Sequence, residues 1–309
     1  MPTPKMKSIR EAAYTILCWI SIIQYSLSYT GTSYLSSLTG KELTFSSPSS
    51  SSAAAINGDS KIEDIVKFHH APFSYFAINK LTPKGPRKNA DVGQPHDATR
   101  PLAQDGATRA GSWWCAAGGW PSPALRATTE VFYVFSGSGA LTDLDGVCHK
   151  FGPGDTVILP KGWSGRWDVL EDIHKVWAVV DHPNVEEMSN PIRAKIVSNA
   201  DLLDESKVYE PLGVRVDASH GYPSTTCKTF CETGPVVVGG WTCTPGSFRS
   251  KVRSTTEVFH VLEGLFFLTN EDGTAQKIGS GDTIVLPKGW SGHWDVIEPV
   301  RKLWIESNE

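Results

Sequence analysis

The sequence predicts an all-β protein in which one antiparallel sandwich or barrel is used twice. Short apolar runs are divided by Gly, Pro, D-G and G-D punctuation, as turn-rich β architectures require. No long stretch carries a helical period. A long segment also recurs at a fixed offset, and an internal repeat decides the architecture before any single element does.

The chain has 309 residues, room for two domains of ordinary size and a leader. Hydrophobic residues make up 40% and charged residues 20%, and the formal net charge is -4. That balance is ordinary for a globular protein and excludes broad binding to nucleic-acid phosphates, which needs a basic surface. The six cysteines include a C-x-x-x-C pair, Cys227 and Cys231, with no second Cys/His pair at zinc spacing, so they read as incidental thiols.

Residues 1–61 differ from the rest. Lys5, Lys7 and Arg10 precede an apolar stretch from Ala12 to Tyr29, followed by the Ser-rich tract Ser46–Ser60. A basic start, an apolar core and small residues fit a signal peptide or short anchor. Thr15, Ser21, Gln24, Ser26 and Ser28 dilute the apolar core, so any membrane association rests on this leader alone. The Ser-rich tract has almost nothing to bury and reads as a flexible linker. Compartment stays open between a targeted and a cytoplasmic protein. The expected domains are 62–186 and 187–309.

The repeat runs from Thr128 to Trp177 and again from Thr255 to Trp304, at a constant offset of 257 − 130 = 127 residues. More than half of the aligned positions are identical. In the second copy EVFHVLEG and LFFLTN read as strands, EDGT as a turn, DTIVL as a strand before a Pro-Lys-Gly corner, and HWDVIEPVRKLWIE as two more. Upstream, GSWWCAAGGW and VVVGGWTCTPG match as strand entries, with Trp114 opposite Trp241 and Gly119 opposite Gly246. The charges of E-D-I-H-K and E-P-V-R-K read as a solvated cross-strand face. His69, His70, His96 and His220 lie outside the motif cores, His69–His70 reading as an exposed pair.

These motifs resemble a family. E-V-F-x-V-x-x-G is similar to the end of the first cupin motif and G-D-T-x-x-L-P-K-G-W-S-G-x-W-D-V to the second, a form that looks like the ureidoglycine-aminohydrolase-type branch of small cupins. The resemblance implies two tandem jelly-roll β-barrels after the leader, joined as a built-in pseudo-dimer and open to further homo-oligomerisation. It also implies a divalent metal held by a His-x-His, a Glu and a second-motif His. Of those places only Glu130 and Glu257 carry a ligand type. The histidine places hold Ala124 and Arg126, or Lys251 and Arg253, and the second-motif place falls on Gly165 or Gly292. Arginine stays protonated and opposes metal binding, so neither a metal nor another cofactor is expected.

Alternation along a strand turns residues of one parity toward the interior. Glu130 and Glu257 are therefore candidate acid/base groups. Arg126, Lys251 and Arg253 are candidate clamps for a small polar or anionic ligand, with Trp167 and Trp294 closing the pocket. The unequal pockets favour the second barrel. His260, three residues after Glu257, has the opposite parity and belongs on the surface or at an interface. Trp163 and Trp290 read as rim packing, with ligand stacking as the alternative. Two functions stay open: a hydrolase-, aminohydrolase- or isomerase-like enzyme on a small metabolite, or a binding or structural bicupin whose Arg and Glu simply pair.

Overall fold

The computed structural model describes residues 65–183, 192–204 and 209–308. The leader expected over 1–61 lies outside them, and no helix among the described residues is long and apolar enough to cross a membrane.

The strands, in chain order, are β1 (His69–Ala71), β2 (Thr82–Pro86), β3 (Val92–Gly93), β4 (His96–Asp105), β5 (Thr108–Cys115), β6 (Gly118–Ser122), β7 (Thr128–Asp143), β8 (Cys148–Phe151), β9 (Thr156–Leu159), β10 (Gly165–Asp181) and β11 (Lys195–Val197). After a short helix, Asn199–Leu203, come β12 (Glu210–Val214), β13 (Ala218–Gly221), β14 (Ser224–Thr233), β15 (Val236–Cys243), β16 (Gly246–Ser250), β17 (Thr256–Asn270), β18 (Ala275–Gly279), β19 (Thr283–Leu286) and β20 (Gly292–Ser307). The fold is all-β, with one antiparallel sheet for each repeat. The main paths run β11-β9-β7-β10-β5-β4-β2 and β1-β19-β17-β20-β15-β14-β12.

The long strands do the turning. The first part of β10 pairs with β6 from Gly165 to Val169, and its later part pairs with β5 from Ile173 to Val180. Between them the β7–β10 ladder shifts register, so one strand pair serves two sides of the sheet. Gly137 and Gly264 sit at these bends with φ of 80° and 101°. A Cβ there would stand 2.1 Å from the Asp172 carbonyl oxygen or 2.3 Å from that of Pro299, so only glycine fits.

The barrels expected from the sequence are not closed by hydrogen bonds: neither path returns to its first strand. The outer strands explain this. β2 (TPKGP) and β12 (EPLGV) contain prolines, which lack the N–H that a further ladder needs.

The two sheets exchange strands. β1 precedes the first repeat yet pairs with β19 of the second, whereas β11 precedes the second repeat and pairs with β9 of the first. The core divides in step with the pleat. Phe132, Val134 and Trp167 fill the first interior, and Phe259, Val261 and Trp294 the second. Val131, Ala178, Val258 and Leu303, one residue out of phase, pack between the repeats. Asp105 reinforces that junction by accepting from Thr256 Oγ1 and the Lys288 amide. The two repeats thus form an intramolecular pseudo-dimer.

Strand pairing corrects one alignment. Trp113 lies opposite Lys175 as Trp241 lies opposite Lys302, and Gly118 opposite Val169 as Gly246 opposite Val296. The true equivalents are Trp113 with Trp241 and Gly118 with Gly246, because the first repeat carries one extra residue before Arg126. A one-residue slip would place the wrong tryptophan inside.

Candidate functional site

The parity expected for the motif glutamates holds: Glu130 and Glu257 point into the sheet interiors, 7% and 5% exposed. The preceding arginines are fixed through their backbones. The Arg126 amide donates to the Trp163 carbonyl at 2.9 Å and its own carbonyl accepts from Gly162. Arg253 makes the same two bonds with Trp290 and Gly289. The Pro-Lys-Gly-Trp corner therefore holds each arginine beside its glutamate.

In the first repeat Arg126 Nη2 donates to Glu130 Oε2 at 2.6 Å, and Lys175 Nζ donates to Oε1 at 2.7 Å. In the second, Arg253 Nη1 lies 2.9 Å from Glu257 Oε2, and Lys302 Nζ donates to Oε1 at 2.5 Å. Each carboxylate thus has one cation on each oxygen. Burial pushes both glutamates up, but the charges of Lys175 and Arg126, or of Lys302 and Arg253, outweigh it and hold them below the usual carboxylate range.

Lys175 and Lys302 overturn the solvated-face reading of E-D-I-H-K and E-P-V-R-K. Both lysines are buried, as are His174 and Arg301 beside them. Lys175 Nζ lies 3.7 Å from the ring centre of Phe132, 4.8 Å from Trp113 and 4.9 Å from Trp167. Lys302 Nζ lies 4.2 Å from Phe259 and 5.0 Å from both Trp241 and Trp294. The lysines were detectable: each is identical in the two copies and stands two residues before a tryptophan, on the same parity as the inward core.

The other expected site residues divide. Trp167 is stacked on by Trp120 and Phe132. Trp294 is stacked on by Phe248, Phe259 and Phe266. Both are within 5% of full burial and serve as walls around the lysine. Lys251 is exposed, as is Ala124 in the first repeat. Trp163 and Trp290 are fully buried rather than at a rim, their indole N–H groups donating to Asp143 and Asn270. His260 lies between the repeats against Tyr133 and Phe135, as its parity requires. His70 is not an exposed residue: its ring bonds to Gln276 and Asp282, and only His69 is exposed.

The mouths differ. Arg253 also reaches Glu306 at 3.2 Å, and Thr255 donates to the same Glu306 oxygen. Val179 takes the place of Glu306 in the first repeat. Glu130, Arg126 and Lys175 sum to +1, whereas Glu257, Glu306, Arg253 and Lys302 sum to zero. The Nε atoms of Arg126 and Arg253 are buried without a partner among the described residues. An open cleft of about 630 Å³ lined by Gln104, Arg109, Asp181 and His182 shares no residue with either cluster.

The donor set does not fit a cupin metal. Among the described residues no three His, Cys, Asp or Glu side chains converge as a metal site. Each motif glutamate is already shared by two cations. A side chain cannot enter at the second-motif place either: a Cβ on Gly165 would lie 2.2 Å from the Thr142 carbonyl oxygen, and one on Gly292 2.3 Å from that of Thr269.

A family model described as the EutQ-like cupin domain matches residues 102–177 and 231–304. No curated protein matches the sequence. Among solved structures, a Pseudomonas syringae pv. tomato protein of unknown function from the DUF861 family is similar at TM-score 0.58 and 18% identity, over 79% of this chain and 100% of its own. The putative glyoxylate-induced protein of Pseudomonas aeruginosa is similar at 0.56 and 16%, over 83% and 94%. Ylba of E. coli, also DUF861, is similar at 0.53 and 11%, over 81% and 96%. At these identities the likeness concerns the fold.

Proposed function

We propose that this chain, which has a cupin-superfamily bicupin architecture, binds a small polar ligand and performs no chemistry at its motif glutamates. The observation that carries this reading is the double pairing of Glu130 and Glu257. A general acid at neutral pH needs a raised pKa, and both are lowered; a general base needs a free oxygen, and both oxygens are engaged. They act as anchors of the interior.

Recognition falls to the second mouth. Arg253, Thr255 and Glu306 present donors and an acceptor side by side, with exposed Lys251 adding a cation on the same connection. That pattern suits a ureido or amino-acid-like molecule carrying both a donor and an acceptor better than a simple anion. The first mouth, with Val179, lacks the carboxylate.

A thermal-shift screen of small ureido compounds, amino acids and carboxylates, glyoxylate among them, tests the reading. The binder should stabilise wild type and the Arg126→Gln variant, and lose its effect in Glu306→Gln. Turnover of any panel compound that disappears in a folded Glu257→Gln variant would replace the binding function with an enzymatic one.

A further inference from the structure

The interior of each repeat is built to hold a cation, and it holds one of the protein's own. We propose that the Glu130 and Glu257 cages are primary-ammonium sites permanently occupied by Lys175 and Lys302, the tethered ammonium serving where a bound cation would otherwise be required. The inference concerns the interior and stands apart from the ligand proposed at the second mouth.

Three features carry it. The same five-part arrangement occurs in both repeats: a glutamate oxygen within 2.7 Å of the ammonium, and two tryptophans and a phenylalanine within 5.0 Å of it. A carboxylate and three ring faces compensate a desolvated ammonium in the manner of aromatic cages that bind ammonium ligands. Its walls are also fixed in place, because the cage tryptophans are held by edge-on and stacked ring contacts and by sheet pairing. Finally, the cage is recruited from three strands: β7, β10 and β5 in one repeat, and β17, β20 and β15 in the other. The lysine thus ties the two sides of the bent sheet to one carboxylate.

A metal would fit poorly beside this ammonium, since the lysine and arginine already occupy both glutamate oxygens. The interior is expected to be complete without any external ion. Removing the lysine beyond Cβ would leave a space shaped for n-propylammonium, with its counter-charge and ring faces in place.

The test uses the full chain carrying Lys302→Ala, with Lys175→Ala as an independent second site. Adding n-propylammonium chloride should raise the Tm of each variant saturably, by about 3–6 °C at a concentration tenfold above Kd. n-Propanol and sodium chloride should give no such rise, and wild type should not respond. A variant too unstable to purify is refolded from urea with each additive, and recovery with n-propylammonium alone carries the same meaning. Absence of rescue at both sites, or equal rescue by n-propanol, overturns the proposal. So does a wild-type Tm that falls on chelation and returns with a divalent metal. Neither readout depends on Glu306, so failure here is distinct from failure of the ligand-binding reading.

Discussion

Acidification should unfold this protein through two histidines. His260 is buried between the repeats and His174 against Phe135 and Ser112, and burial pushes each pKa from 6.5 down to about 4. A lowered folded-state pKa means that the unfolded chain binds the proton first. Stability is therefore full above about pH 6.5 and falls as pH drops toward 4. At pH 5 the linkage amounts to about 2 kcal/mol for each histidine, or about 4 kcal/mol for both. That is a large share of the roughly 5–15 kcal/mol that holds a typical domain together. Urea unfolding followed by tryptophan fluorescence at pH 8, 7, 6 and 5 measures it directly. Wild type should lose most stability between pH 6.5 and 5, and the His174→Gln/His260→Gln variant should flatten that decline. A double variant with the same pH slope as wild type refutes the assignment.

Three further outcomes follow from the same geometry. Glu257→Gln leaves the buried Lys302 without its counter-charge and should cost about 3–5 kcal/mol in urea unfolding, whereas Glu257→Gln/Lys302→Met should recover much of the loss. Gly292→Ala drives a methyl against the Thr269 carbonyl and should lose about 1–3 kcal/mol, with Gly165→Ala as its counterpart in the first repeat. His70 works in the opposite pH sense. Although burial pulls its pKa down, bonds to Asp282 and Gln276 raise it overall, so its contribution is full below pH 6.5 and fades as pH rises through the raised value. Amide exchange in β1 should quicken over that range beyond the intrinsic rate, and His70→Gln should remove the added pH dependence.

The duplication was legible because identity at a constant offset needs no structural model. Parity then placed Glu130 and Glu257 inside and His260 on the opposite face, since both assignments follow from strand alternation alone. Lys175 and Lys302 were hidden by their neighbours: in E-D-I-H-K and E-P-V-R-K, flanking charges give the string a solvated look. The physical state of such a lysine depends on rings from strands far away in sequence, Trp113 or Trp241 and Phe132 or Phe259. The upstream register failed by one residue because a Trp-Trp pair, Trp113–Trp114, offers two equally good matches to Trp241. The exchange of β1 was beyond reach: His-His-Ala is too short to carry a pattern, and its partner is chosen by the assembled sheet edge.

That exchange sets a timetable for synthesis. β11 leaves the ribosome only 36 residues after β9 ends (195 − 159 = 36), so the first sheet can be finished early. β1 emerges before either, yet Thr283 of its partner strand follows Ala71 by 283 − 71 = 212 residues. At about 5–20 residues per second, that is a wait of roughly 10–40 s with a bare strand near the start of the chain. A nascent chain stalled between the repeats would thus present a nearly complete first sheet and an unclaimed β1, a state suited to pairing with the wrong molecule.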